Sequence, residues 1–290
     1  MRAPYSSPTL AISFGAGSDS SSTNRERMLA SRQGTPALPT AADVFAAFEA
    51  FRPAVSMFMA GSVILGWGHG TSDIDLYVVL PEASGPIEGA YTRTASTTDP
   101  TMYIVLGQFG AFRADIEVWT HEQIHEVIDR FYGPPAARAA DRTEQDLLNR
   151  LVTGRPLHGD RWWSQARTRI TESSYPAWLV GRRLSRARSA TDSAARWLDS
   201  GSAVPAVLAA REAFTCTVEA VLAAGGDYSV NRKWLYRRMQ ATPVPGLETD
   251  QAWRRLCLEG AEAAPADWTA AVLADCRSLQ DGIASRGADR

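Results

Sequence analysis

Apolar residues recur at helical spacing from Ala41 to Phe51, behind Thr40 as a capping residue, and the pattern stops at Pro53. Val55 to Ala60 is a short apolar run that predicts a first strand. A glycine-rich crossing, Val63 to Ser72, leads into a second strand, whose Leu76-Tyr77-Val78-Val79-Leu80 run suits burial. Residues 81–100 are polar and predict a loop. Thr101 to Leu106 predicts a third strand, and Phe112 to Trp119 alternates as a fourth. On that fourth strand Phe112, Ala114, Ile116 and Val118 share one face, and Arg113, Asp115 and Glu117 share the other. Thr120 caps a helix running through Phe131, and Asp141 to Val152 is another, closed by Thr153-Gly154-Arg155-Pro156. Beyond it helical patterning takes over: Pro176 to Leu198, Ala203 to Ala224, Asn231 to Gln240, Asp250 to Glu262 and Ala266 to Ile283. The order predicts an α+β N-terminal domain, a small mixed sheet with helices, followed by an all-α helical bundle.

Composition narrows the picture only in places. At 290 residues and 45% hydrophobic, the chain is long enough for two modest domains with real cores. A formal charge of −2 gives no general bias toward nucleic acid or anionic membrane, and no apolar run reaches the ~18 residues of a membrane helix. Cys216, Cys257 and Cys276 have no paired spacing, so neither a zinc site nor a disulfide framework is expected, and a reducing, cytoplasmic compartment is. The first 38 residues are rich in Ser, Thr, Pro, Gly and Ala. They predict a disordered extension, or sequence upstream of a start at Met28. The expected organisation is therefore an extension over 1–38, a sheet domain over 39–160 and a helical domain over 170–290.

The chemistry gathers at Gly61-Ser62 and Ser72-Asp73-Ile74-Asp75. Asp73 and Asp75 stand two apart at the start of a strand, so both carboxylates leave the same face. Like charges placed so repel unless a cation lies between them. Gly61 allows close approach of the backbone to a ligand, and Ser62 offers a hydroxyl and an amide, at what would be a helix N-terminus. The chain has thirty basic residues, of which one, Lys233, is lysine. In an arginine-dominated chain, a retained lysine points to a need for a compact charge. Residues 175–240 carry ten basic against five acidic side chains, a cationic segment in an acidic protein.

Gly-Ser, ten residues, then Asp-x-Asp between two strands resembles the polymerase-beta-like nucleotidyltransferase superfamily. The Leu151-Val152-Thr153-Gly154-Arg155-Pro156-Leu157 phrase and the helical second half resemble its two-domain antibiotic, kanamycin-type members with a HEPN-like C-terminal domain. The resemblance implies nucleoside monophosphate transfer, with ATP as the expected donor, to a hydroxyl of a small-molecule acceptor. It implies two Mg²⁺ ions, with Mn²⁺ as a substitute, on Asp73, Asp75 and Asp115, with Glu117 as the rival third carboxylate. It implies a nucleotide grip from Gly61, Ser62, Ser72 and Lys233. Many relatives carry a cation just after Gly-Ser, where this chain has Val63-Ile64-Leu65, and Lys233 is the candidate replacement. Membrane and nucleic-acid partners are not expected, and a homodimer is compatible with the family. The alternatives are a protein-modifying, AMPylating transferase of the toxin–antitoxin kind and a non-catalytic nucleotide-binding relative.

Overall fold

The computed structural model describes residues 37–82, 85–135, 138–243, 248–250, 252–253 and 259–288. The expected extension before residue 37, the start at Met28, Cys257 and most of the helix expected over Asp250 to Glu262 lie outside the described residues. Helix α1 (Ala41–Ala47) is closed at its start by a reciprocal Thr40–Asp43 capping box and gives way to a 3₁₀ turn at Glu49–Phe51. The same device starts α2 (His121–Asp129), with Thr120 and Gln123, and α3 (Arg142–Thr153), with Asp141 and Glu144. Between α1 and α2 the chain builds β1 (Ser56–Ala60), β2 (Ile74–Leu80), β3 (Tyr91–Thr94), β4 (Thr101–Phe109) and β5 (Phe112–Thr120). After α3 come β6 (Arg155–His158), α4 (Asp160–Glu172), α5 (Tyr175–Asp199), α6 (Ala203–Ala224), a 3₁₀ turn at Arg232–Trp234, α7 (Leu235–Ala241) and α8 (Pro265–Ala288).

The six strands form one mixed sheet in the order β3-β4-β5-β2-β1-β6. Only β2 and β5 pair in parallel; the other neighbours are antiparallel. The architecture is an α+β half followed by helices. β1 and β2 are both interior strands and are buried along almost their whole length, as their continuous apolar runs require.

Two buried clusters hold Pro39–Arg290, which forms one compact unit. The first joins the sheet to α2, α3 and α4, and also takes in Tyr175, Leu179, Ala223 and Tyr228 from the later half. The second lies among α5, α6, α7 and α8. No described helix is long and apolar enough to cross a membrane.

Three local expectations are corrected. Residues 81–100 are not all loop: Tyr91–Thr94 is an edge strand, exposed at every position, so it carries no apolar alternation to betray it. Arg155–His158 is a strand despite Pro156, because β6 is an edge where a missing amide costs nothing. The stretch 160–172, for which no element was expected, is a full helix. Finally, no helix follows Ser62. The Leu65 amide donates to the Gly61 carbonyl at 3.1 Å, one helical turn, and Gly66 with φ +72° ends it.

Candidate active site

Strand register does the gathering. Antiparallel pairing sets Ala60 opposite Asp75, and parallel pairing sets Asp75 opposite Asp115. Registered partners on adjacent strands, spaced ~4.8 Å, send their side chains from the same face. Asp73 lies two residues before Asp75. All three carboxylates line one cavity of about 450 Å³, together with Gly61, Ser62, Ser72 and Lys233. Glu117 is placed elsewhere. It lines a smaller neighbouring cavity of about 170 Å³, beside Asp146, Arg93 and Arg142. There it accepts a hydrogen bond from the Trp119 indole at 3.2 Å and a long one from the Tyr77 hydroxyl at 3.4 Å. Burial pushes its pKa up, and the Trp119 bond only partly offsets this.

One residue central to the site went unseen in the sequence. Arg150, on α3, donates from Nη1 to Asp75 Oδ2 at 2.9 Å and reaches Asp146 at 3.5 Å. Burial raises the Asp75 pKa; Arg150 opposes that shift, while Asp146, Asp115 and Asp73 add to it. Gly61 makes room for the pair. A Cβ built there would lie 1.8 Å from Asp75 Oδ2 and 2.8 Å from Arg150 Nη1, and the backbone stands at φ +87°. Asp73 has a looser partner, Arg113, whose Nε and Nη2 both lie 2.9 Å from Oδ1. That pair is largely exposed, so it contributes little and gives way easily.

The glycine-rich crossing folds as successive turns over the cavity mouth. The amides of Trp67 and Gly68 both donate to the Ser62 carbonyl, at 2.8 and 2.9 Å. Ser72 closes the far end, its hydroxyl accepting from the His69 amide at 3.0 Å. Trp67 meets Trp234 across the mouth at 6.1 Å between ring centroids, and Lys233 Nζ sits 5.0 Å from the Trp234 ring centre. Both indoles line the cavity. Part of the cationic segment over 175–240 is engaged elsewhere. Arg183 binds backbone carbonyls, Arg232 pairs with Glu212 and Glu219, and Arg238 pairs with Asp227. Of the ten basic residues over 175–240, Lys233 alone lines the carboxylate cavity, joined there by Arg150 from α3.

The donor set suits a hard divalent cation: three carboxylates and the buried Asn149 Oδ1, which lines the same cavity without a hydrogen-bond partner. As the side chains stand, Arg150 and Arg113 engage two of those carboxylates, and no three Asp, Glu, His or Cys among the described residues form a ready cation cluster. A cation there would have to displace Arg150 from Asp75 and Arg113 from Asp73.

No family model matches the chain, and no curated protein matches it. Among solved structures it is similar to a nucleotidyltransferase-like protein from Exiguobacterium sibiricum 255-15, with a TM-score of 0.46 and 7% identity over 84% of this chain and 74% of that one. A likeness at that level establishes neither fold nor chemistry.

Proposed function

We propose that the protein is a Mg²⁺-dependent nucleotidyltransferase that moves AMP from ATP to a hydroxyl of a small-molecule acceptor. The observation that carries this is the meeting of Asp73, Asp75 and Asp115 in one cavity with Gly61-Ser62 on one side and Lys233 on the other. Asp73, Asp75 and Asp115 would hold Mg²⁺, which when bound supplies charge neutralisation at the phosphates and acidifies a coordinated hydroxyl. The acceptor oxygen bonds to the α-phosphorus, the bond from that phosphorus to the bridging β-oxygen breaks, and pyrophosphate leaves. Asp115, the exposed member of the three, takes the hydroxyl proton. Arg150, from α3, and Lys233, from the segment before α7, supply the positive charge that Val63-Ile64-Leu65 do not. The Trp67 and Trp234 faces offer a platform for the nucleobase.

A thermal-shift panel of ATP, GTP, CTP and UTP with Mg²⁺ or Mn²⁺, on wild type and Asp73→Asn, tests this without an acceptor. At ~100 times Kd, the preferred nucleotide should stabilise wild type by about 2.7 kcal/mol, only with metal, and the variant far less. No shift with any nucleotide would end the proposal. The two arginine–carboxylate pairs favour one second reading, a nucleotide sensor without transfer. It predicts the same shift with no pyrophosphate release in the presence of cell extract.

A further inference from the structure

Beside the carboxylate cavity lies a larger one, about 680 Å³, walled by α5, the start of α3 and the segment before α7. Its charge is the reverse. Arg142, Arg182, Arg183, Arg186 and Arg232 line it, against Asp141 and Glu219. Three of these arginines are committed. Arg183 donates to the carbonyls of Glu219, Asp227, Tyr228 and Ser229, Arg232 bridges Glu212 and Glu219, and Arg186 pairs with Glu212. Arg142 and Arg182 are exposed, and neither forms an ion pair among the described residues. Arg182 instead lies over the Trp178 ring at 5.4 Å, which holds its guanidinium in place. On α5, Arg182 and Arg186, like Ser185 and Ser189, stand four residues apart, so two guanidiniums and two hydroxyls share one wall.

This cavity is joined to the site by shared walls. The small cavity at Glu117 shares Arg142 and Val230 with it, and shares Asn231 with the carboxylate cavity. The three therefore lie in a row, from Asp115 past Asn231 and Arg93 to the arginines. A volume of about 680 Å³ is that of a small-molecule site, not of a macromolecular surface. Two uncommitted guanidiniums with neighbouring hydroxyls are the donors that an oxyanion requires.

Resting on the transferase reading above, we propose that the acceptor alcohol is itself a small oxyanion, a phosphorylated or carboxylated metabolite. Arg142 and Arg182 bind its charged end, and its hydroxyl extends along the row of cavities toward Asp115. The bonds made and broken are those given above. A polycationic amino sugar would face like charge in this cavity.

The first test uses equilibrium dialysis of 8-hydroxypyrene-1,3,6-trisulfonate, a small fluorescent polyanion, with ATP and Mg²⁺ saturating. Wild type should bind it, and Arg142→Ala/Arg182→Ala should bind it at least 10-fold more weakly with the nucleotide thermal shift retained. Equal binding by both proteins, or none by wild type, overturns the proposal. The second test labels a cell extract with ATP carrying its label at the α-phosphate, purifies the labelled product, cleaves it with a phosphodiesterase that releases labelled AMP, and reads the charge of the unlabelled acceptor by mass spectrometry and electrophoresis. An anionic acceptor supports the proposal. A neutral or cationic acceptor, or label on RNA or protein, overturns it and leaves nucleotidyl transfer standing. Arginine-dependent dye binding without any nucleotide shift overturns the transferase reading and the acceptor role with it, and leaves only anion binding at Arg142 and Arg182.

Discussion

Gly61 carries two demands at once, and no other residue type meets both. Its φ of +87° costs an L side chain about 1–2 kcal/mol, and a methyl group there would overlap the carboxylate of Asp75. Gly61→Ala should therefore lower stability by about 3 kcal/mol in urea unfolding and displace Asp75 from Arg150, abolishing metal-dependent nucleotide binding. Asp115 and Glu117 separate by environment instead. Glu117 is half-buried, with a raised pKa, so the folded protein holds its proton more tightly than the unfolded chain does. Ionising it costs stability as pH rises through the carboxylate range, and that cost is absent at lower pH. Glu117→Gln should accordingly be more stable than wild type at pH 7, with the difference closing below about pH 4. It should also keep transfer activity, whereas Asp115→Asn loses roughly 100-fold or more. Equal losses from both substitutions would return Glu117 to the site.

At the scale of elements, the site depends on a segment that is neither helix nor strand. Residues 225–234 bring Asp227, Ser229, Asn231, Lys233 and Trp234 to the cavity wall. Four carbonyls along α6 and this segment are tied by one guanidinium, that of Arg183 on α5. Arg183→Met leaves them without their donor, and the cost should be about 3 kcal/mol, read as a lower urea midpoint, with weaker ATP binding as the wall loosens. None of this was legible from periodicity. The helix expected over Asn231 to Gln240 is a 3₁₀ turn and then α7, because the Asn231 side chain accepts from the Lys233 amide and caps a tighter start. The sheet residues were legible because Gly61-Ser62 and Asp73 to Asp75 are local in sequence, and period-two alternation put Asp115 on the right face of β5. Arg150 was not, since it sits 75 residues from Asp75 and only the packing of α3 brings them together. The exposed β3 and the proline-bearing β6 escaped for the same reason: edge strands owe their pairing to a neighbour, not to an apolar pattern of their own.

Across the whole molecule the two halves are unequal in what they need from each other. The sheet-side core includes Tyr175, Leu179, Ala223 and Tyr228, each nearly or wholly buried and each from beyond residue 172. Phe131, just after α2, packs edge-on against Tyr175 at 5.0 Å and against Trp178 at 5.2 Å, so α5 supplies part of its apolar cover. The helical core draws on α5 to α8 and their connecting segments and takes nothing from the sheet. Losing a buried aromatic or leucine partner costs about 2–5 kcal/mol each, and several losses exceed the stability of a typical domain. A fragment of residues 39–172 should therefore bind ANS and show poor NMR dispersion, while residues 173–290 should keep cooperative helical unfolding by circular dichroism. A well-dispersed spectrum from the first fragment would show that the sheet half closes its own core. The carboxylate cavity would then be a surface that the helical half covers, and Lys233 and Trp234 could be removed without unfolding the three aspartates.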